Sequence, residues 1–193
     1  MLLWVGSVTN LSVAAGQHAA TCRRSPTAAF GWARLHRMER YNLIPELEAF
    51  ELELGEEETP LGWASCTGNF SLAVAYASLV WPAFTEVRGM VFRGEADETD
   101  VDRWLADLGH DRRAVEAMLN HLHVLDVQSP GNWGHATESQ LLFIGQTLKA
   151  SWAAKLACDF PGREFAVEFL QGTARDMRGY QVSFHERRQP GDA

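Results

Sequence analysis

The first 37 residues contain no aspartate or glutamate, although four arginines (Arg23, Arg24, Arg34 and Arg37) fall there. The body that follows, 38–193, therefore holds all 25 acidic residues against 13 basic ones, so a leader of formal charge +4 is joined to a body of −12. Lysine is nearly missing, with only Lys149 and Lys155, and isoleucine occurs only as Ile44 and Ile144. That arginine- and alanine-rich bias is associated with a GC-rich, bacterial-type coding sequence. The formal net charge of −8 argues against a nucleic-acid binder, because affinity for phosphate backbones comes from clustered Lys and Arg that release counterions. Cysteine is scarce: Cys22, Cys66 and Cys158 form no C-x-x-C pair, which argues against a disulfide framework or zinc ribbon and fits a reducing cytoplasm.

No apolar run reaches membrane-spanning length. Residues 61–85 carry no formal charge, but Ser65-Cys66-Thr67-Gly68-Asn69 and Pro82 leave an apolar core of 70–81, well short of the about 20 residues a span needs. A buried helix is expected there. Also absent are the glycine-rich phosphate loop, the G-x-G-x-x-G dinucleotide turn, the G-x-S-x-G nucleophile elbow and the H-E-x-x-H zinc motif. No motif names a reaction.

Three descriptions compete for 1–37. A secretory signal places its positive charge before its apolar stretch, whereas here Met1-Leu2-Leu3-Trp4-Val5 come first and the arginines last. A transit peptide fits the Ser, Thr, Ala and Arg content better. The abrupt change of composition at Met38 and the lack of helical periodicity before it favour the third, upstream sequence preceding a natural start. The expected organisation is thus a poorly packed leader (1–37), one α+β domain (38–188) and a frayed tail (189–193).

Within the body, Phe50, Leu52 and Leu54 alternate with Glu51 and Glu53, the period-two signature of a strand, although Pro45 can equally open a helix. Asn69 is an N-cap for the apolar helix and Pro82 stops it. Val87, Gly89 and Val91 alternate with Arg88, Met90 and Phe92, which reads as one strand buried on both faces. Thr99-x-x-Asp102 resembles a capping box ahead of the stripe Val101, Trp104, Leu105, Leu108; Asp111 caps a second helix with the stripe Val115, Met118, Leu119, Leu122. Thr137-x-x-Gln140 opens a long helix carrying Leu141, Ile144, Leu148, Trp152 and Leu156. Phe165, Val167, Phe169 and Tyr180, Val182, Phe184 form the two arms of a C-terminal hairpin. The predicted architecture is an antiparallel sheet of about four strands with helices packed on one face.

Chemistry has few places to reside. His121, His123 and Asp126, with His110 and His135 near in sequence, are the densest set of metal-ligand types, and zinc suits imidazole plus carboxylate. On a continuing helix His121 and His123 would lie about 200° apart; only if the helix ends near His121 do the rings share a side. The loop Ser129-Pro130-Gly131-Asn132-Trp133-Gly134-His135 presents a large ring amid turn residues, so Trp133, with Asn132 and His135, is a candidate binding anchor, unless the ring folds back over a helix end. Trp63, beside Gly62, poses the same question. Cys66, shortly before Asn69, is a thiol near a helix start without a recognisable base, and a buried structural role is the simpler reading. Glu164, Glu168 and His185 form an acid/base group only if they line a pocket.

The function expected from these residues is protein–protein binding by a small acidic protein, of inhibitor or immunity type, without a cofactor, steered toward a basic protein surface. The alternative is a metal-dependent hydrolase using a divalent ion such as zinc on His121, His123 and Asp126. Neither a nucleic acid nor a membrane is an expected partner. Deleting 1–37 is expected to leave the melting temperature almost unchanged; a fall of about 5 °C or more by calorimetry, at least about 1 kcal/mol, would show that the leader packs on the body.

Overall fold

The computed structural model describes residues 40–188; the expected leader and frayed tail lie outside the described residues. In chain order come four helices, α1 (Arg40–Leu43), α2 (Glu46–Leu54), α3 (Pro60–Thr67) and α4 (Phe70–Val80), then a hairpin of β1 (Phe84–Val87) and β2 (Met90–Arg93). Helices α5 (Glu98–Asp107) and α6 (Arg112–Leu119), the short strand β3 (Leu122–His123), the long helix α7 (Glu138–Asp159), and the strands β4 (Phe165–Leu170) and β5 (Gln181–Glu186) follow. The fold is α+β. Its antiparallel strands are divided between two sheets, β1-β2 and β3-β5-β4.

Local chemistry sets most boundaries. Asn69 accepts from the Leu72 amide, Asp111 from the Ala114 amide, and Thr137 with Gln140 closes a reciprocal capping box at the head of α7. Helix α5 begins earlier than its Thr99 suggests, because the Asp97 carboxylate accepts from both the Thr99 and Asp100 amides. The predicted strand at 50–54 is helical. Pro45 already has a helical backbone (φ −58°), Glu46 and Glu48 occupy the first turn where carboxylates complement the helix dipole, and no strand among the described residues pairs with the segment. Gly55, at φ 75°, ends α2 by donating its amide to the Glu51 carbonyl.

The single strand read across 87–92 is a hairpin. Arg88 (φ 55°) and Gly89 (φ 71°) both take left-handed conformations, the requirement of a two-residue turn that matches strand twist, and Val87 pairs with Met90 across it. Arg88 pays for its conformation through its side chain, which lies 2.9 Å from Asp102 and 3.2 Å from Glu98. As expected of β2, its residues are buried on both sides: Val91 enters the main core, while Met90 and Phe92 enter a second.

The main core joins Leu141, Leu148, Trp152 and Leu156 of α7 to Val182 and Phe184 of β5 and to Tyr180 just before it. Helix and sheet approach closely at Gly145, where a Cβ would fall 2.1 Å from the Phe169 ring. The hairpin register places Val167 opposite Phe184 and Phe169 opposite Val182. The second core holds Val87, Met90, Phe92, Val101 and Val115, with the half-buried stripe Trp104, Leu105 and Leu108 against it. Helix α6 covers the face of β5 opposite to α7, where Ser183 donates to the Ala117 carbonyl at 2.6 Å. Met118, assigned to the inner stripe of α6, is exposed.

Two polar residues of α6, both fully buried, join the sheets. The Glu116 carboxylate accepts the Val91 amide and the Glu186 amide, each at 3.0 Å, and takes both guanidinium arms of Arg188 at 2.8–2.9 Å. Asn120 accepts the Arg93 amide at 2.8 Å and donates to the Val91 carbonyl at 2.8 Å and the Phe184 carbonyl at 3.4 Å. Side chains thus supply the bonds that a direct β2–β5 ladder would have made. Glu116→Ala leaves the partly buried Arg188 guanidinium and two amides without their acceptor, and is expected to cost about 3 kcal/mol in urea denaturation. A loss under about 1 kcal/mol would show that the two sheets hold together without it.

Candidate functional site

Helix α6 ends at Asn120 and the chain then extends through β3, which brings His121 and His123 to one side, the condition the spacing set for them. Their rings meet edge to face, with centroids 5.3 Å apart. Each Nδ1 faces a backbone carbonyl, that of Met118 for His121 and that of Arg178, at 2.7 Å, for His123. Asp126 stands exposed on the following 3-10 turn, Val124–Val127, and does not complete a set. Among the described residues no group of three or more His, Cys, Asp or Glu is arranged to hold a metal ion. The histidines form a pair.

The Trp133 loop is a 3-10 segment, Pro130–His135. Trp133 itself is half-buried against the main core. Its indole N–H donates to the Gln128 carbonyl at 3.1 Å, and the Arg178 guanidinium stacks 4.8 Å from its ring centroid. The ring is committed to the fold, while Asn132 and His135 beside it stay exposed. Trp63 is half-buried on α3; Cys66, on the same helix, is exposed, contrary to the buried structural role expected of it.

Register places His185 opposite Ala166, with Glu164 and Glu168 to either side on the neighbouring strand. Burial first, then the charge of Arg113, holds the His185 imidazole below its ordinary pKa; Arg187 acts in the same sense, and Glu168 and Glu116 oppose. Both flanking glutamates are exposed. An open cavity of about 350 Å³ nearby is lined by Leu156, Phe165, Arg163, Glu164 and Arg187 but not by His185, so the three do not form an acid/base group in a pocket.

Arg163, Glu186 and Tyr180 are bound into the fold. Arg163 binds Glu186 with two bonds of 2.7 Å and Glu86 at 3.1 Å; this pairing holds the Glu186 carboxyl below, and the Arg163 guanidinium above, its usual pKa. Burial and the Glu138 carboxylate at 2.7 Å push the Tyr180 phenol up to about 12.

The feature that stands out is the surface of α3 and α4. The apolar helix of residues 70–80 forms where expected, yet no residue of α3 or α4 is buried. Phe70 is 92% exposed, Leu61 77% and Val74 68%, and Trp81 at the end of α4 is half-exposed. Leu79 and Val80 meet the main core, and the Trp152 indole N–H donates to the Leu79 carbonyl at 3.0 Å; these contacts dock α4 by its opposite side. Phe70, Val74, Ala77 and Trp81 recur at intervals of four, three and four residues, within about 60° around the helix axis, the spacing of a packing seam. Sequence reasoning treated apolarity as burial. The seam spacing was visible, but nothing local reveals that the core is already filled by α7.

No family model, curated protein or solved structure matches the chain. The geometry of its own residues carries the functional reading. No helix among the described residues is long and apolar enough to cross a membrane.

Trp133→Ala should destabilise the protein by up to the low end of the about 3–5 kcal/mol typical of a buried tryptophan, the ring being only half covered. In a variant with Trp133 as its sole tryptophan, emission is expected to be blue-shifted and poorly quenched by iodide. A red-shifted, freely quenched band with unchanged denaturation would return the ring to the solvent.

Proposed function

We propose that this protein acts by binding another protein through the uncharged apolar face of α3 and α4. The observation that carries the proposal is the seam Phe70–Val74–Ala77–Trp81, which is solvent-exposed on a helix without a single charge. Soluble monomers rarely leave contiguous apolar patches of more than a few hundred Å² uncovered, and an exposed phenylalanine alone presents on the order of 200 Å². Large, stiff apolar side chains at the centre of such a patch are the groups that dominate binding energy. A helix docked through Tyr76, Leu79 and Val80, with Phe70, Val74 and Ala77 bare at seam spacing, has the form of a helix-docking surface.

The test replaces Phe70 and Val74 with aspartate. Neither side chain is packed in the fold, and an acid at the first position of α4 suits the helix dipole, so the melting temperature is expected to stay within a few degrees. Affinity capture from the native host should lose the specifically retained protein with this variant, whereas Trp133→Ala, once shown to be folded, should keep it. A collapse of stability in the aspartate variant, or capture indifferent to it, overturns the proposal.

A further inference from the structure

We infer that the segment bound at this face is a basic amphipathic helix of a partner protein; the inference rests on the reading of α3 and α4 as a binding face. Residues 40–85 carry seven glutamates and one arginine, Arg40, and all of these precede residue 61. A stretch of chain without charged residues, 61–85, is therefore preceded by a predominantly acidic one. Acidic α2 also meets α3 in space. Helix α2, with Glu46, Glu48 and Glu53 exposed, packs against α3 and leaves Leu52 80% exposed among its carboxylates.

The junction between them is built. The Glu58 carboxylate accepts the Thr59 amide at 2.7 Å at the head of α3, beside the exposed Leu61. Gly62 makes room for it: a Cβ there would stand 2.1 Å from Glu58 Oε1. Glu51 in turn accepts the Glu58 amide at 3.0 Å and the Tyr41 hydroxyl at 2.7 Å, which anchors the acidic turn to α2. Carboxylate and apolar surface are held side by side.

This combination selects among occupants. A membrane-surface helix carries Lys and Arg beside its apolar stripe to meet anionic headgroups, and seven glutamates would be repelled from them. Two copies of this chain meeting through α3 and α4 would bring two acidic α2 helices to one interface, with like charges facing. A helix with apolar residues on one face and Lys or Arg on its flanks satisfies both halves of the surface. The seam from Phe70 to Trp81 spans roughly 16 Å, so it accommodates about three turns of such a helix.

The experiment uses the full chain and two labelled synthetic peptides of about 14 residues, long enough to cover the seam, one with leucines on one face and lysines on the other, the second with glutamate for every lysine. Binding is followed by fluorescence anisotropy at about 50 and about 300 mM NaCl, the higher salt shortening the screening length about 2.5-fold. The lysine peptide is expected to bind, at least about fivefold more weakly at the higher salt, and the glutamate peptide not to bind. Phe70→Asp with Val74→Asp should abolish binding, and Glu46→Gln, Glu48→Gln and Glu53→Gln together should weaken it at least about fivefold. Equal binding of both peptides, or lysine-peptide binding untouched by the seam variant, overturns the inference. Sedimentation equilibrium and flotation with anionic phosphatidylglycerol vesicles serve as separate arms. A dimer lost in the seam variant would replace the basic helix by a second copy while leaving the protein-binding proposal standing; vesicle binding lost in that variant would overturn both. If neither peptide binds, the chain is monomeric, vesicles are ignored and host capture is indifferent to the seam variant, the binding face itself is refuted.

Discussion

The Glu116 carboxylate is the point through which the parts of this fold are connected. It lies fully buried on α6, receives an amide from β2 and another from the end of β5, and is neutralised by Arg188 from the segment after β5. A buried carboxylate is tolerable only when every oxygen has partners, and here four bonds meet that requirement. Asn120, one turn along the same helix, repeats the device with two backbone carbonyls and one amide. Two small sheets that share no ladder are thereby locked in one relative position, and the two apolar cores on either side of β2 become parts of one structure.

Around that hub the charge network extends outward. Arg188 also pairs with Glu186 at 2.8 Å, Glu186 with Arg163, and Arg163 with Glu86 on β1. Arg163 and Arg188 both donate to the Gly89 carbonyl, at 3.0 and 3.3 Å, and Arg112 donates to the Arg88 carbonyl. The tight turn of the β1-β2 hairpin is therefore held by three guanidinium groups, a role suited to arginine, whose planar fork supplies several fixed donors. These charges are consumed by the architecture. They give the second half of the chain dense internal bonding.

The N-terminal helices are organised on the opposite principle. Leu47 is their sole fully buried apolar side chain among the described residues of α1 to α4, and they hold to the body through Leu79 and Val80 and through bonds such as Gln140 to the Leu43 carbonyl at 3.0 Å. Several of their apolar side chains, Leu52, Leu61, Phe70 and Val74 among them, are turned to solvent.

Signals confined to one turn of chain were legible from residues alone. The Asn69 and Asp111 caps, the Thr137–Gln140 box, the inner stripe of α7 and the alternation of the C-terminal hairpin all depend on neighbours within about four residues, and all appear in the structure. The alternation at 50–54 misled because the same three apolar residues satisfy a strand period without any strand to pair with. The pairing of His121 with His123 was conditional on where α6 ends, and the fold met that condition without adding a third ligand. Other features depend on residues far apart: Glu116 meets an amide 25 positions before it and another 70 after, and Phe70 stays exposed while α7 supplies Leu141, Leu148, Trp152 and Leu156 to the main core. Caps, turns and periodicity are local energies and are written in order along the chain. Burial, and with it the difference between a core helix and an exposed one, is a competition among distant segments for one interior, and only the assembled tertiary structure decides it.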